Sequence, residues 1–314
     1  MQLKENVVIG THNGIFHSDE VVACAIIKLM VEKLYSSQDK VKIIRTRDLN
    51  ILNSECDYVV DVGGGKFDHH QKGGNGQRID GTKYASAGLV WKEFGYVILY
   101  FMKTLSIEQI NEIFNLTDEN VIKKVDMEDN GVYTNEHIFS YIKNFLPNWD
   151  EENPDYDNAF NEALKVTSTV LSSVISKSIS VVQGKTEINN RLHSTVNRMD
   201  NILFLPCQTI DWLEPTVTFN EENPSEAVDF VVFPYPNGGY ALQCVPRSLA
   251  EKFSQRIILP SSWAGETENL PEITNVKSAT FCHQARFFAR ADDFEDIITM
   301  CRLATLENEK FRKI

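Results

Sequence analysis

The stretch THNGIFHSDE, residues 11–20, sets His12, His17, Asp19 and Glu20 directly behind the apolar run VVIG. A second stretch, DVGGGKFDHHQ (61–71), adds Asp61, Asp68, His69 and His70. Four of the chain's seven histidines therefore fall between positions 12 and 70, beside carboxylates. Imidazole nitrogen mixed with carboxylate oxygen suits Mn²⁺, Fe²⁺ or Zn²⁺, and Mg²⁺ less well. More than four such ligands points to two cations rather than one. A pair of cations about 3.5–4 Å apart can share a bridging carboxylate and a bridging hydroxide. Such a pair supplies an attacking metal-bound hydroxide near neutral pH and neutralises a phosphoryl group in transit. Taken singly, each residue has a plainer reading, as a polar loop histidine or as an aspartate that starts a turn before glycines. Two His/Asp sets at two strand ends are not explained that way. Neither VVIGTHNG nor DVGGG has the GxGxxG spacing of a dinucleotide loop.

The elements that must position these residues follow from pattern. VVIG reads as a buried strand. DEVVACAIIKLMVEKL (19–34) reads as a helix with Ser18 as its N-cap and acids in its first turn. VKIIRT (41–46) and CDYVVDV (56–62) read as further strands, the latter ending at a triple glycine. Strand, helix, strand, strand predicts an α/β domain with a parallel sheet, whose ligands gather at the carboxyl ends of the strands. GGNG (73–76) reads as a loop. Ser86 caps a helix through GLVWKEF, and Ser106 with Gln109 forms a capping box for the next. A helical run from Asp118 to Asp129 stops at Asn130-Gly131. Apolar residues at helical spacing from Phe160 to Val182 predict a long helix linking two lobes. Beyond it the texture changes. VDFVVFPYP and YALQCVP read as a strand pair, followed by a helix over 292–306. The expected organisation is a parallel-sheet catalytic domain with its linker helix over 1–192. A smaller α+β domain for binding substrate follows over 193–314.

THNGIFHSDE, DVGGGKFDHHQ, YASAGLVWKEFG, VDMEDNGV, LPSSWAG and FCHQARFF together resemble the melanocyte proliferating gene 1 family, a branch of the DHH phosphoesterase superfamily. Asp68-His69-His70 matches the triplet that gives the superfamily its name. The resemblance runs over most of the chain. In ordinary members the first motif is a His followed by two aspartates. Here the first aspartate position is taken by His17, one residue further on, as in the family's own variant. The resemblance implies that His12, His17, Asp19 and His69 bind metal, that Asp61 bridges two cations, and that His70 faces the phosphate. It also implies one more carboxylate from VDMEDNGV, which offers Asp126 and Asp129; the Asn-Gly that follows favours Asp129. Asp68 is expected to orient a histidine rather than to bind metal, and Glu20 to favour the helix N-terminus. In the second lobe, Arg247, Arg256, His283, Arg286 and Arg290 are the candidates for holding substrate. Arg286 and Arg290 share a face only if that stretch is helical. Gln284, Ala285 and Arg286 stand where the family usually has small residues after the histidine, which argues against a tight backbone cradle there.

The bulk composition fits such a protein. The 314 residues carry a net charge of -13, which argues against a generic basic nucleic-acid coat but not against a substrate whose phosphates meet bound cations. Residues 240–314 are balanced in charge, so the acidity lies in the first three quarters, where the clusters are. The six cysteines are scattered without a CxxC pair, and are expected to be reduced, buried and apolar in role. No secretory h-region, Arg-rich presequence or span of roughly 20 apolar residues occurs. The expectation is a soluble intracellular protein, in cytoplasm or nucleus, with the mitochondrion open; Asn115 of its NLT sequon then stays unglycosylated. The function expected is a phosphodiesterase using two divalent cations, Mn²⁺ favoured and Mg²⁺ the alternative. By the resemblance it acts as a 3′–5′ exoribonuclease on single-stranded RNA. Two other readings stay open: a hydrolase of pyrophosphate or short nucleotides on the same site, and a metal-binding regulator without turnover. Protein partners are not legible.

Overall fold

The computed structural model describes residues 6–35, 40–132 and 137–312. Strand β1 (Val7–Thr11) is followed by helix α1 (Ser18–Tyr35), strand β2 (Val41–Arg45), helix α2 (Leu49–Glu55) and strand β3 (Tyr58–Val59). The three strands form a parallel sheet in the order β2-β1-β3. Because they run in parallel, the residues after β1 and β3 emerge at the same sheet edge. His12 follows β1 by one residue and Asp61 follows β3 by two. Two segments 49 positions apart in sequence are thereby brought to one place.

The strand expected over 56–62 is shorter than its apolar run. Val60 makes only an isolated bridge to Phe67, and Asp61 turns into the left-handed region at φ 58°. Helix α2 is absent from the sequence reading, although Asp48 caps it by accepting from Asn50 N–H. Gly10 fits there because an added Cβ would lie 2.7 Å from Cys56 Sγ and Leu52 Cδ2.

Helix α1 is buried from Asp19 through Ile27 and packs against α3 (Ser86–Met102). Neither serine expected to cap these helices does so. Both helices begin at the serine itself. Glu20 accepts from His17 N–H at the start of α1 instead, and the N-cap of α3 is Ala85 without a side-chain bond. Helix α4 (Ile107–Thr117) has the expected Ser106/Gln109 capping box. A π-helical turn over Asp118–Ile122 leads into α5 (Lys123–Asp129), which ends at Asn130 and Gly131 as expected. A short 3₁₀ helix covers Ser140–Phe145. The long helix α6 runs from Tyr156 to Leu192, well past the predicted stripe at both ends.

The chain divides into two compact units, Met1–Ile179 and Ser180–Ile314, and the division falls inside α6. The second unit holds a mixed six-stranded sheet in the order β4-β5-β6-β7-β9-β8, formed by Arg198–Met199, Ile202–Phe204, Phe230–Pro234, Tyr240–Cys244, Phe288–Ala291 and Ala279–Cys282 respectively. β5 and β6 are parallel and the other pairs antiparallel, including the expected β6–β7 pair. Alternate residues of β6 enter two different cores: Phe230 and Val232 join one, Val231 and Phe233 the other. That period of two explains why the strand reads as an unbroken apolar run. Helices α7 (Leu213–Glu222), α8 (Leu270–Thr274) and α9 (Phe294–Arg312) complete the unit.

All six cysteines are free. Four are buried as expected, whereas Cys56 is half-buried and Cys207 is exposed. No described helix is long and apolar enough to cross a membrane.

Candidate metal centre

The first unit brings His12, His17, Asp19, Glu20, Asp61, His69, His70 and Asp129 together. Three groupings have ligand atoms within 4.8 Å of one another: His12, His17, Glu20 and Asp61; Asp61, His69 and His70; His17, Asp19 and Asp129. Asp61 belongs to two of them and His17 to two, so the three form one continuous cluster.

Asp61 is the centre of the contacts. Its Oδ2 lies 3.3 Å from His12 Nε2, and its Oδ1 lies 3.3 Å from both His69 Nε2 and His70 Nδ1. The backbone that aims it is left-handed, a conformation Asp tolerates at modest cost. The Asp61 N–H donates to Phe67 O, closing the glycine-rich loop on itself. Ser86, at the first turn of α3, donates from Oγ to Asp61 Oδ1 at 3.1 Å. The Ser86 N–H meets Asp19 Oδ2 at 3.3 Å. The sequence reading gave Ser86 the role of a cap. Its hydroxyl instead serves the aspartate, and a serine at a helix start facing a strand end was the available signal.

Asp68 organises the loop that carries the paired histidines. It accepts from Gly64 N–H at 2.7 Å and from His70 N–H at 3.0 Å, and lies 3.0 Å from His70 Nδ1. It belongs to none of the three groupings. Burial would raise Asp68, but the His70 and Gly64 N–H groups hold it below its usual range. His70 itself is exposed, with its ring turned 4.3 Å, centroid to centroid, from that of His69.

Glu20 does more than the helix-terminus role expected of it. Both carboxylate oxygens accept from His17 N–H at 2.9 Å, and Oε1 also lies 3.1 Å from His12 Nε2. Asp129 Oδ2 lies 2.9 Å from His69 Nε2, at the end of α5. Asp126, the alternative carboxylate, faces elsewhere. It accepts from Gly88 N–H at 2.9 Å and lies 2.7 Å from Arg78 Nη1. Gly88 permits this approach, since a Cβ there would fall 1.9 Å from Asp126 Oδ2.

The electrostatics are those of a site with more anions than its own cations balance. Burial lowers the His12 pKa, yet Asp61 and Glu20 outweigh it and push the imidazole up to about 10. His69 follows the same course: burial lowers it, and Asp129 and Asp61 push it up to about 10. Burial, then the negative charges of Asp61, Glu20 and Asp129, pushes Asp19 well above the ordinary carboxylate range. Burial alone would raise Asp61 too, but its bonds to His12 and His69 hold it well below that range. Asp19 Oδ1 and His69 Nε2 are buried with no well-aligned hydrogen-bond partner among the described residues; the short Asp129 approach to His69 is poorly directed. Orphaned buried polar atoms are costly. Converging oxygen and nitrogen donors, two of them orphaned, fit a divalent cation, which accepts lone pairs.

The loop bearing His12 and His17 is braced from outside the cluster by Arg45, which the sequence reading passed over. Arg45 donates to Gly14 O at 2.7 Å and to Tyr156 O at 2.9 Å, pairs with Asp157, and lies 4.6 Å over the Phe160 ring. A lone arginine closing a strand gives no sequence signal of such a role.

The C-terminal candidates do not gather as the cluster does. Arg256 is paired with Asp229 at 2.9 Å. Arg286 sits in a left-handed turn at φ 56°, and Arg290 lies in β9, 4.0 Å over the Tyr235 ring. The two therefore share no helix face, because turn and strand occupy that stretch. Arg247 and His283 are exposed, and the His283 Nδ1 accepts from Ala285 N–H at 3.0 Å.

A family model described as an uncharacterised protein family (UPF0160) and labelled MYG1 exonuclease matches residues 8–305. The chain belongs to this family. It is 29% identical over 328 residues to a protein named MYG1 exonuclease of Mus musculus, covering 95% of this chain and 84% of that one. The MYG1 exonuclease of Homo sapiens is 28% identical over 333 residues, at 96% and 86% coverage. A MYG1 protein of Chlamydia pneumoniae is 30% identical over 295 residues, at 90% of each chain. A solved pGpG-specific phosphodiesterase of Vibrio cholerae matches with a TM-score of 0.30 and 12% identity over 97% of this chain and 99% of that one, too slight a likeness to bear on the argument.

Proposed function

We propose that the chain is a metal-dependent phosphodiesterase of the DHH type, a 3′–5′ exoribonuclease working with two divalent cations, Mn²⁺ foremost. The observation that carries the reading is the Asp61 carboxylate, shared between a histidine–glutamate grouping on one side and the paired histidines on the other. The relatives named exonuclease support it.

Asp61 would be the shared ligand, with His12 and Glu20 beside one of its oxygens and His69 beside the other. His17, Asp19 and Asp129 would complete the set. Two cations bound there would supply a nucleophile at neutral pH and offset the charge of a phosphoryl group in transit. His70 would serve the substrate: its Nδ1–H donates to Asp68, and in the imidazolium form its Nε2–H would donate to a phosphate oxygen or to the departing oxygen. Ser86 would fix the Asp61 carboxylate for its shared role. Domain roles follow the same reading, with metal binding in 1–192 and substrate contacts in 193–314. Arg247 and His283 are the more available contacts, since Arg256 is committed to Asp229.

A 5′-labelled single-stranded RNA incubated with Mn²⁺ tests the reading. The wild-type chain yields a ladder shortened from the 3′ end, and Asp61→Ala leaves the RNA intact while keeping its circular dichroism spectrum. Trimming by Asp61→Ala at the wild-type rate would remove the shared-ligand role.

A further inference from the structure

Beside the metal-capable cluster, within the first unit, lies a cavity of about 450 Å³. His17, His69, His70 and Asp129 form one side of it. The rest is of a different character. Phe16, Phe139 and Leu146 give it an apolar lining, Lys143 adds an exposed cation, and Glu128 adds a carboxylate. Ligand pockets run to roughly 300–1,000 Å³, so the volume suits one nucleotide rather than a length of chain.

Glu128 is held in place by partners that have no part in the cluster. His137 Nε2 lies 2.6 Å from Glu128 Oε2, and the His137 side chain is 1% exposed. The tautomer is fixed from the other side of the ring, because Nδ1 accepts from Phe139 N–H at 3.2 Å. The proton is therefore on Nε2 and donates to Glu128. Ser18 Oγ donates to the same oxygen at 3.3 Å. No described residue meets Oε1.

A carboxylate so placed cannot attract a phosphate, which it repels. It accepts hydrogen bonds, so its ligand must bring donors. Phosphate bound beside His69 and His70 leaves the sugar of the same nucleotide as the nearest source of donors, and a ribose offers vicinal hydroxyls. We infer that this cavity receives the terminal ribonucleoside of the substrate, and that Glu128, positioned by His137 and Ser18, accepts from its ribose hydroxyls. The inference rests on the phosphodiesterase reading for where the phosphate sits, and adds Glu128 as the residue that tells ribose from deoxyribose. Sites that hydrogen-bond a hydroxyl reject ligands lacking it strongly, because the acceptor is left unpaired.

The test measures binding, so it does not depend on turnover. Wild-type protein loaded with Mn²⁺ is titrated with AMP and with 2′-deoxy-AMP by calorimetry. AMP is expected to bind tighter by about 10-fold or more. Glu128→Gln is expected to lose most of that ratio, and His137→Gln, which frees the carboxylate to move, to lose part of it. Equal affinity of the wild-type protein for the two nucleotides would overturn the inference with no variant needed. A wild-type preference that Glu128→Gln leaves unchanged would overturn the assignment to Glu128. A chain that prefers AMP in this way yet trims no RNA would keep the cavity's role and remove the exoribonuclease reading instead.

Discussion

Asp126 and Asp129 lie one helical turn apart on α5, yet the clusters they join are built differently. Around Asp126, two acids meet one guanidinium. Arg78 makes a forked pair with Asp118 through Nε and Nη2, both at 2.7 Å, lies 2.7 Å from Asp126 through Nη1, and sits 4.4 Å over the Tyr84 ring. Around Asp129, the partners are of another kind. Four carboxylates, Asp19, Glu20, Asp61 and Asp129, meet imidazoles rather than a guanidinium. An arginine satisfies acids permanently. A histidine satisfies them only while protonated, and releases its lone pair when a cation replaces the proton. The first cluster is therefore a brace for the helix that presents Asp129. The second could hold a cation.

The comparison is open to perturbation at both ends. Arg78→Met should have the largest effect, because it strands Asp118 and Asp126. Breaking a buried pair costs about 3–5 kcal/mol, to be read as a lower urea midpoint at unchanged slope. A loss under about 1 kcal/mol, the scale of an exposed pair, would deny it the role of a brace. Ser86→Ala comes next. Removing the donor to Asp61 should weaken Mn²⁺ binding by about 10–100-fold with little change in stability, as for other residues that orient a ligand. Unchanged affinity would mean that Asp61 holds its position without Ser86. Asp19→Asn should act most gently and in the opposite sense to Arg78→Met. It relieves a buried carboxylate pressed by Asp61, Glu20 and Asp129, so in chelator it should stabilise the chain by about 0.5–2 kcal/mol, the scale of a single stabilising substitution. Destabilisation in chelator would mean that the acids around Asp19 are matched better than the structure indicates.

Much of the first unit was legible because its clustered histidines and carboxylates follow strand ends. VVIG and the 41–46 run became paired parallel strands, and the residues behind the first and third strands converged as an α/β sheet requires. The choice of Asp129 over Asp126 needed the family's Asn-Gly tail, since both are acids on one helical run. What separates them in space is Arg78, about 50 residues upstream in a loop that gives no periodic signal. Glu20 was read as a helix-terminus acid because that reading satisfies local rules; its approach to His12 is a tertiary fact. Ser86 was misread for the same reason. In the second unit the β6–β7 pair was visible, whereas β4, β5, β8 and β9 were not, being two to four residues long. The arginines there gave a charge pattern without an address, and the strand β9 and the turn before it removed the helix on which two of them were to align.

Equilibrium dialysis against Mn²⁺ with elemental analysis of the retained protein bears most directly on the shared carboxylate. Two cations per chain for the wild-type protein, falling to one or none for Asp61→Asn with the fold unchanged, is the expected result. Retention of no cation by the wild-type chain, or of the same number by both proteins, would contradict it.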